Sequence, residues 1–115
     1  MTLSLRPYSR GQITLRSDDP FDHPIIDPQY FSDPRDLDKL VEGMKRAREI
    51  GSAAALDQYR GDELGPGSRI QTDEGLAEYV RQNAKTMYHP VGTCTMGDDA
   101  LAVVDDRLRV HGVDN

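Results

Sequence analysis

SDPRDLDKLVEGMKRAREI, residues 32–50, sets Leu37, Leu40, Val41, Met44, Ala47 and Ile50 at helical spacing and leaves Asp38, Lys39, Glu42, Lys45, Arg46 and Glu49 toward water. That is the pattern of an amphipathic helix with one face turned to a core. Its start is marked as well. Asp33 is placed to cap the first turn, and Pro34 falls at the first helical position, where a missing N–H leaves no bond unmade. Gly51 ends or bends the helix, and Ala53-Ala54-Ala55-Leu56 could carry it one turn further. A second helix is predicted downstream. Thr72 with Asp73 and Glu74 forms its start, Leu76, Tyr79 and Val80 mark one face with Asn83 beside them, and the helix should run to about Ala84.

Upstream of residue 32, Ile13 and Leu15 alternate with polar neighbours over residues 12–17, the period-2 signature of a half-buried strand. Asp18-Asp19-Pro20 supplies turn chemistry after it, and Pro24-Ile25-Ile26 reads as a second extended piece suited to a sheet edge. Between the helices, YRGDELGPGS (residues 59–68) is a connecting loop; Gly65-Pro66-Gly67 matches neither the dinucleotide nor the P-loop pattern of glycines. Past the second helix, Ala102-Val103-Val104 and Leu108-Arg109-Val110 read as short strands separated by Asp105-Asp106-Arg107, with His111 in a closing turn. The fold class expected from these elements is α+β, an antiparallel sheet with packed helices.

The chain has 115 residues, which bounds it to one domain or less, with 37% hydrophobic and 30% charged residues, enough apolar content for a modest core. A formal net charge of -6 argues against nonspecific attraction to phosphate backbones or anionic membranes, so no nucleic acid or membrane partner is expected. No apolar run approaches the roughly 20 residues that span a bilayer, and the start MTLSLRPYSRG lacks the apolar stretch of a secretory signal. Cys94 is the single cysteine, which excludes an intrachain disulfide and is compatible with a reducing compartment. A cytoplasmic location is the default that follows.

KTMYHPVGTCTMG, residues 85–97, gathers small, polar and sulfur-containing residues around one histidine, His89. Pro90 is expected to stop the preceding helix, while Gly92 and Thr93 let backbone approach a ligand closely. A histidine at such a helix-to-loop junction can be held rigidly while facing a cavity. Imidazole ordinarily titrates near about 6.5, which suits it to taking a proton from a hydroxyl at neutral pH, although a lone histidine is more often structural. His89, Cys94 and His111 are all metal-ligand types, yet their spacing matches no zinc pattern, so no metal is expected. A nucleophilic pair of Cys94 with His89 has no recognised arrangement at this spacing, and Cys94 is read as a small buried packing residue. His23, between Asp22 and Pro24 in a turn, is expected to be exposed.

Four ordered segments resemble the C-terminal region of the glucose-methanol-choline oxidoreductases. They are Arg6-Pro7-Tyr8-Ser9-Arg10-Gly11 with Ile13, Leu15, Ser17 and Asp19-Pro20; Asp27-Pro28-Gln29-Tyr30-Phe31 with Asp33-Pro34 and Asp36-Leu37; Tyr88 to Gly97; and Val103-Val104-Asp105 with Leu108 to Val113. The resemblance covers nearly the whole chain. It implies a partial substrate-binding domain that covers a flavin, part of an FAD-dependent alcohol dehydrogenase or oxidase. His89 would then be the family's active-site histidine, accepting the proton of a small-molecule alcohol as hydride passes from the CH–OH carbon to the flavin. Pro90 and Val91 would lie near the flavin ring. Within the family, Tyr88 to Gly97 reads as closer to general alcohol dehydrogenases than to the choline-specific branch.

Relative to the family, residues 1–115 are expected to be a single C-terminal domain fragment truncated at both ends. The glycine-rich FAD-binding region is the missing partner on one side, and the family's second active-site residue, a His or Asn, belongs beyond Asn115. FAD is therefore expected in the full-length protein and not retained by this chain, whose flavin-facing surface would favour association. The alternative from a different class is a noncatalytic truncated remnant or interaction module without activity of its own.

Overall fold

The computed structural model describes residues 2–114. The element order is β1 (Gln12–Thr14), β2 (Ile25–Asp27), α1 (Pro34–Gly51), a 3-10 turn (Ala54–Leu56) and α2 (Asp73–Asn83). The class is α+β, with one two-stranded antiparallel sheet. Two compact units divide the chain: Pro28–Lys85 with the N-terminal stretch up to Gly11, and Gln12–Asp27 with the segment from Thr86 onward.

In the first unit both helix starts form as the sequence predicts. The Asp33 carboxylate accepts from the Arg35 N–H at 3.0 Å with Pro34 at the first position, and the Thr72 hydroxyl accepts from the Gly75 N–H at 3.1 Å. Each cap satisfies an N–H that the helix itself cannot. α1 packs on α2, and Leu37, Val41, Leu76 and Val80 make the buried core. Ala47 and Ile50, read as part of the same face, are exposed. α1 is 18 residues long and α2 only 11, and Ala47 and Ile50 lie in the last turns of the longer helix. Ala54–Leu56 does not extend α1 but forms a separate 3-10 turn, because the Ser52 and Ala53 N–H groups close the helix on Arg48 O and Ile50 O.

A buried carboxylate fastens the N-terminal arm to this core. Asp36, 3% exposed, accepts the Tyr8 N–H at 2.8 Å and the Ser9 N–H at 2.7 Å, one on each oxygen. Burial pushes its pKa up, and the hydrogen bonds from Ser9 and Tyr8 outweigh burial and hold it below 3.8. The Ser9 hydroxyl accepts in turn from the Asp33 N–H at 3.1 Å, while Arg35 and Lys39 lie 3.7 and 4.0 Å from the Tyr8 ring centroid. Two sequence segments 24 to 28 residues apart thus form one joint. In the last turn of α1, Arg48 donates to Ile70 O at 2.7 Å and Gly67 O at 3.2 Å and pairs with Glu63 at 2.8 Å, which holds the Gly65-Pro66-Gly67 loop as a connector.

In the second unit β1 and β2 pair with Ile13 opposite Ile26 and Thr14 opposite Ile25. The strand expected over 12–17 ends at Thr14. Past it, Ser17 donates to Asp22, and Asp19 accepts from the Phe21 N–H at 2.9 Å, so short polar side chains bond the backbone as a turn in place of a ladder. Ala102–Val104 and Leu108–Val110 do not form strands either. Val104 makes single bridges to Met96 and to Val110, too few for a ladder. No described helix is long and apolar enough to cross a membrane.

Candidate active site

α2 ends at Asn83, six residues before His89, so Pro90 is not its stop and His89 does not sit at a helix end. The actual stop is local. The Asn83 side chain donates to Tyr79 O at 2.8 Å and Ala84 turns extended, with ψ 140°, while its N–H still closes on Val80 O. Residues 84–95 then run without regular secondary structure.

Two residues shape the loop around His89. Tyr88 has φ 63°, a left-handed conformation that costs a non-glycine residue energy, and its N–H donates to the Thr86 hydroxyl at 2.9 Å, which offsets part of that cost. Gly92 has φ 102°, outside the range of ordinary side chains. Between these two bends lie His89, Pro90 and Val91, all exposed, with Val91 open by 92%. The Thr95 hydroxyl donates to Gly92 O and draws the far side of the loop inward. Among the described residues no hydrogen bond or ion pair engages the His89 side chain.

Beyond Thr95 the chain enters a small knot of three segments. Thr95 O accepts from the Val103 N–H at 2.8 Å, Val104 O accepts from the Gly97 N–H at 3.0 Å, and Val103 O accepts from the His111 N–H at 3.0 Å. Asp105 stabilises the turn that closes the knot, accepting the Arg107 and Arg109 N–H groups at 2.9 Å and pairing with the Arg109 guanidinium at 2.6 Å. The Arg109 backbone and side-chain bonds hold the Asp105 carboxyl below its ordinary 3.8. The His111 ring lies with Nε2 2.9 Å from Gly97 O. Sequence reading placed His111 in a bland turn and missed this contact, which spans 14 residues and leaves no local signal.

Cys94, read as buried, is exposed, as are all residues from Val91 to Met96. Small size and sulfur chemistry suit a thiol to a core, but nothing in the loop packs over it. His23 is exposed in its turn, as the sequence implies. No group of three or more His, Cys, Asp or Glu side chains comes together to hold a metal among the described residues.

Comparison with known proteins places these features. The family model described as GMC oxidoreductase matches residues 7–115. Oxygen-dependent choline dehydrogenase from Escherichia coli O127:H6 is 48% identical over 111 residues, covering 96% of this chain and 20% of that protein. The enzyme of the same name from Acinetobacter baumannii strain AYE is 48% identical over 110 residues, again covering 96% of this chain and 20% of the relative. The crystal structure of pyridoxine 4-oxidase from Mesorbium loti superposes with a TM-score of 0.84 at 35% identity, over 95% of this chain and 21% of that one. The chain therefore spans about one fifth of the length of the relatives it matches. Two of these relatives carry the choline dehydrogenase name.

Proposed function

The chain belongs to the GMC oxidoreductase family, and on that premise we propose that it forms the substrate side of an FAD-dependent enzyme that oxidises a small-molecule alcohol, with His89 as proton acceptor. The observation that carries the reading is the presentation of His89 between two backbone bends, unpaired and next to an outward apolar edge made by Pro90 and Val91. An imidazole without a competing partner keeps a nitrogen lone pair for a substrate hydroxyl. Pro90 and Val91 offer a flat ring a nonpolar surface that would otherwise stay in water, so they fit contact with a flavin. The flavin, when bound, supplies the hydride acceptor. His89 takes the hydroxyl proton as the C–H electron pair leaves the carbinol carbon, so an alcohol gives up one proton and one hydride and becomes a carbonyl. A positioned base makes the oxygen more alkoxide-like, and hydride loss from an alkoxide is far easier than from an alcohol.

The test is His89→Ala in a flavin-carrying chain completed with the remaining segments of the Escherichia coli relative. Turnover should fall about 10²–10⁴-fold, the usual weight of a general base, with flavin content and thermal midpoint unchanged. Raising the pH should restore part of it, since an ionised substrate needs the base less. His23→Ala, in an exposed turn, is the control and should leave turnover at the parent level. Near-parent turnover in the flavin-loaded His89→Ala protein would remove His89 from the chemistry.

A further inference from the structure

We infer that His111 is a positioning residue that holds the loop carrying His89, through a hydrogen bond from its ring to the carbonyl of Gly97. This inference rests on the reading of His89 given above only for its consequence in turnover; the loop-holding contact stands on geometry of its own. His111 Nε2 lies 2.9 Å from Gly97 O. A carbonyl oxygen can only accept, so Nε2 must carry the proton, which fixes the ring as the Nε2–H form when neutral.

Gly97 is the point where the loop joins the knot, and both of its backbone groups are engaged. Its N–H donates to Val104 O at 3.0 Å and its C=O accepts from the His111 ring. Its φ of 157° is close to extended backbone, and these two bonds tie it to the neighbouring segments. His111 is itself tied down by its own N–H, which donates to Val103 O at 3.0 Å. The ring is therefore a strut between two segments, and the near end of the loop is fixed separately by the Tyr88 N–H on the Thr86 hydroxyl. Without the strut, Gly97 loses one of its two bonds and this end of the loop is left to the bonds of Thr95 and Val104, so His89 gains freedom relative to whatever it must face.

Three variants separate a donor at the Nε2 position from mere bulk. His111→Gln puts an amide N–H close to where the ring Nε2 sits, His111→Asn puts one nearer Nδ1, and His111→Phe fills the space with no donor. In the 115-residue chain, nitrogen-15 shifts should show His111 in the Nε2–H form. Amide exchange at Gly97 should speed up about three- to tenfold in the Asn and Phe variants, the range expected for one lost hydrogen bond, and stay near parent in the Gln variant. In the completed flavin-carrying chain, kcat should fall by a similar factor for Asn and Phe with KM little changed, and Gln should restore it. An Nδ1–H ring, or a Phe variant that matches Gln in exchange, overturns the inference. So does full kcat in the Phe variant where His89→Ala is inactive. If exchange follows the expected pattern but His89→Ala retains turnover, the strut stands and the assignment of His89 is what fails.

Discussion

Leu37, Val41, Leu76 and Val80 of the helical unit are buried, whereas Ile13, Phe21, Val91, Leu101 and Leu108 of the second unit are exposed, and no described side chain there is buried. The helical unit holds its shape by packing. Capped helices press apolar faces together, and each Leu or Val taken from water contributes about 1.5–3 kcal/mol. The second unit holds its shape by main-chain hydrogen bonds and short polar side chains, through the hairpin, the Asp19 turn and the knot around Val104. Such bonds fix geometry well but contribute only about 1 kcal/mol each, because water offers the same bonds to the unfolded chain. The unit with the least packing is the one that carries His89, and its apolar side chains remain free for something outside itself.

The largest expected effect comes from breaking this contrast at its strongest point. Leu76 is 1% exposed, so Leu76→Ala should lower stability by about 2–5 kcal/mol, a large fraction of what a small domain has. Leu101→Ala, at a side chain 86% exposed, should stay within about 0.5 kcal/mol. Urea titrations followed by helical circular dichroism measure both. Equal losses at the two sites would show that the second unit has a packed core of its own.

A smaller effect tests by acid the joint that ties the N-terminal arm to the helical core. Asp36→Asn keeps one acceptor for the Tyr8 and Ser9 N–H groups and turns a donor toward the other, so a loss of about 1–3 kcal/mol is expected at pH 7. The pH dependence has a definite sign. The folded pKa of Asp36 is depressed, so its contribution is full above 3.8 and is lost as pH falls through the folded value. Asp33, held at about 2 chiefly by the Arg35 side chain, extends the window downward. The parent chain should therefore weaken from pH 4 toward about 2, and the Asn variant should weaken less over that range. Thermal midpoints at several pH values check this, and an Asn variant with the parent's acid slope would exclude Asp36 as a source.

The helices were legible because their information is local. Asp33, Pro34 and Thr72 act within a turn of themselves, and the apolar period survives in any environment. Ala47 and Ile50 show where locality stops: a stripe says which way a face points but not how far its partner reaches. The site was half legible. The string from Tyr88 to Gly97 singled out His89 as a candidate, yet the exposure of Cys94 and the contact of the His111 ring with Gly97 depend on contacts between distant segments, or on their absence. Short apolar runs such as Ala102–Val104 carry the same residues in a strand and in a bridged knot, and only the number of paired neighbours distinguishes them.

The smallest expected effect gives the sharpest test of why the second unit leaves apolar groups in water. Val91 touches little within its own unit, being 92% exposed, so Val91→Ser should move the stability of the 115-residue chain by less than about 0.5 kcal/mol. On the proposed reading its effect appears only in the completed chain. In the completed chain a valine packed on the flavin ring would lose about 1–1.5 kcal/mol of apolar contact on truncation to serine, which corresponds to roughly tenfold weaker flavin retention. That change should leave the pH dependence of turnover alone, since serine at 91 alters no titrating group, whereas His89→Ala should change it. Flavin release measured by fluorescence, paired with a melt of the short chain, reads both halves at once. Unchanged flavin retention with an unchanged melt would mean that Val91 faces solvent in the whole enzyme too, and that the open apolar surface of this unit serves some contact other than the ring.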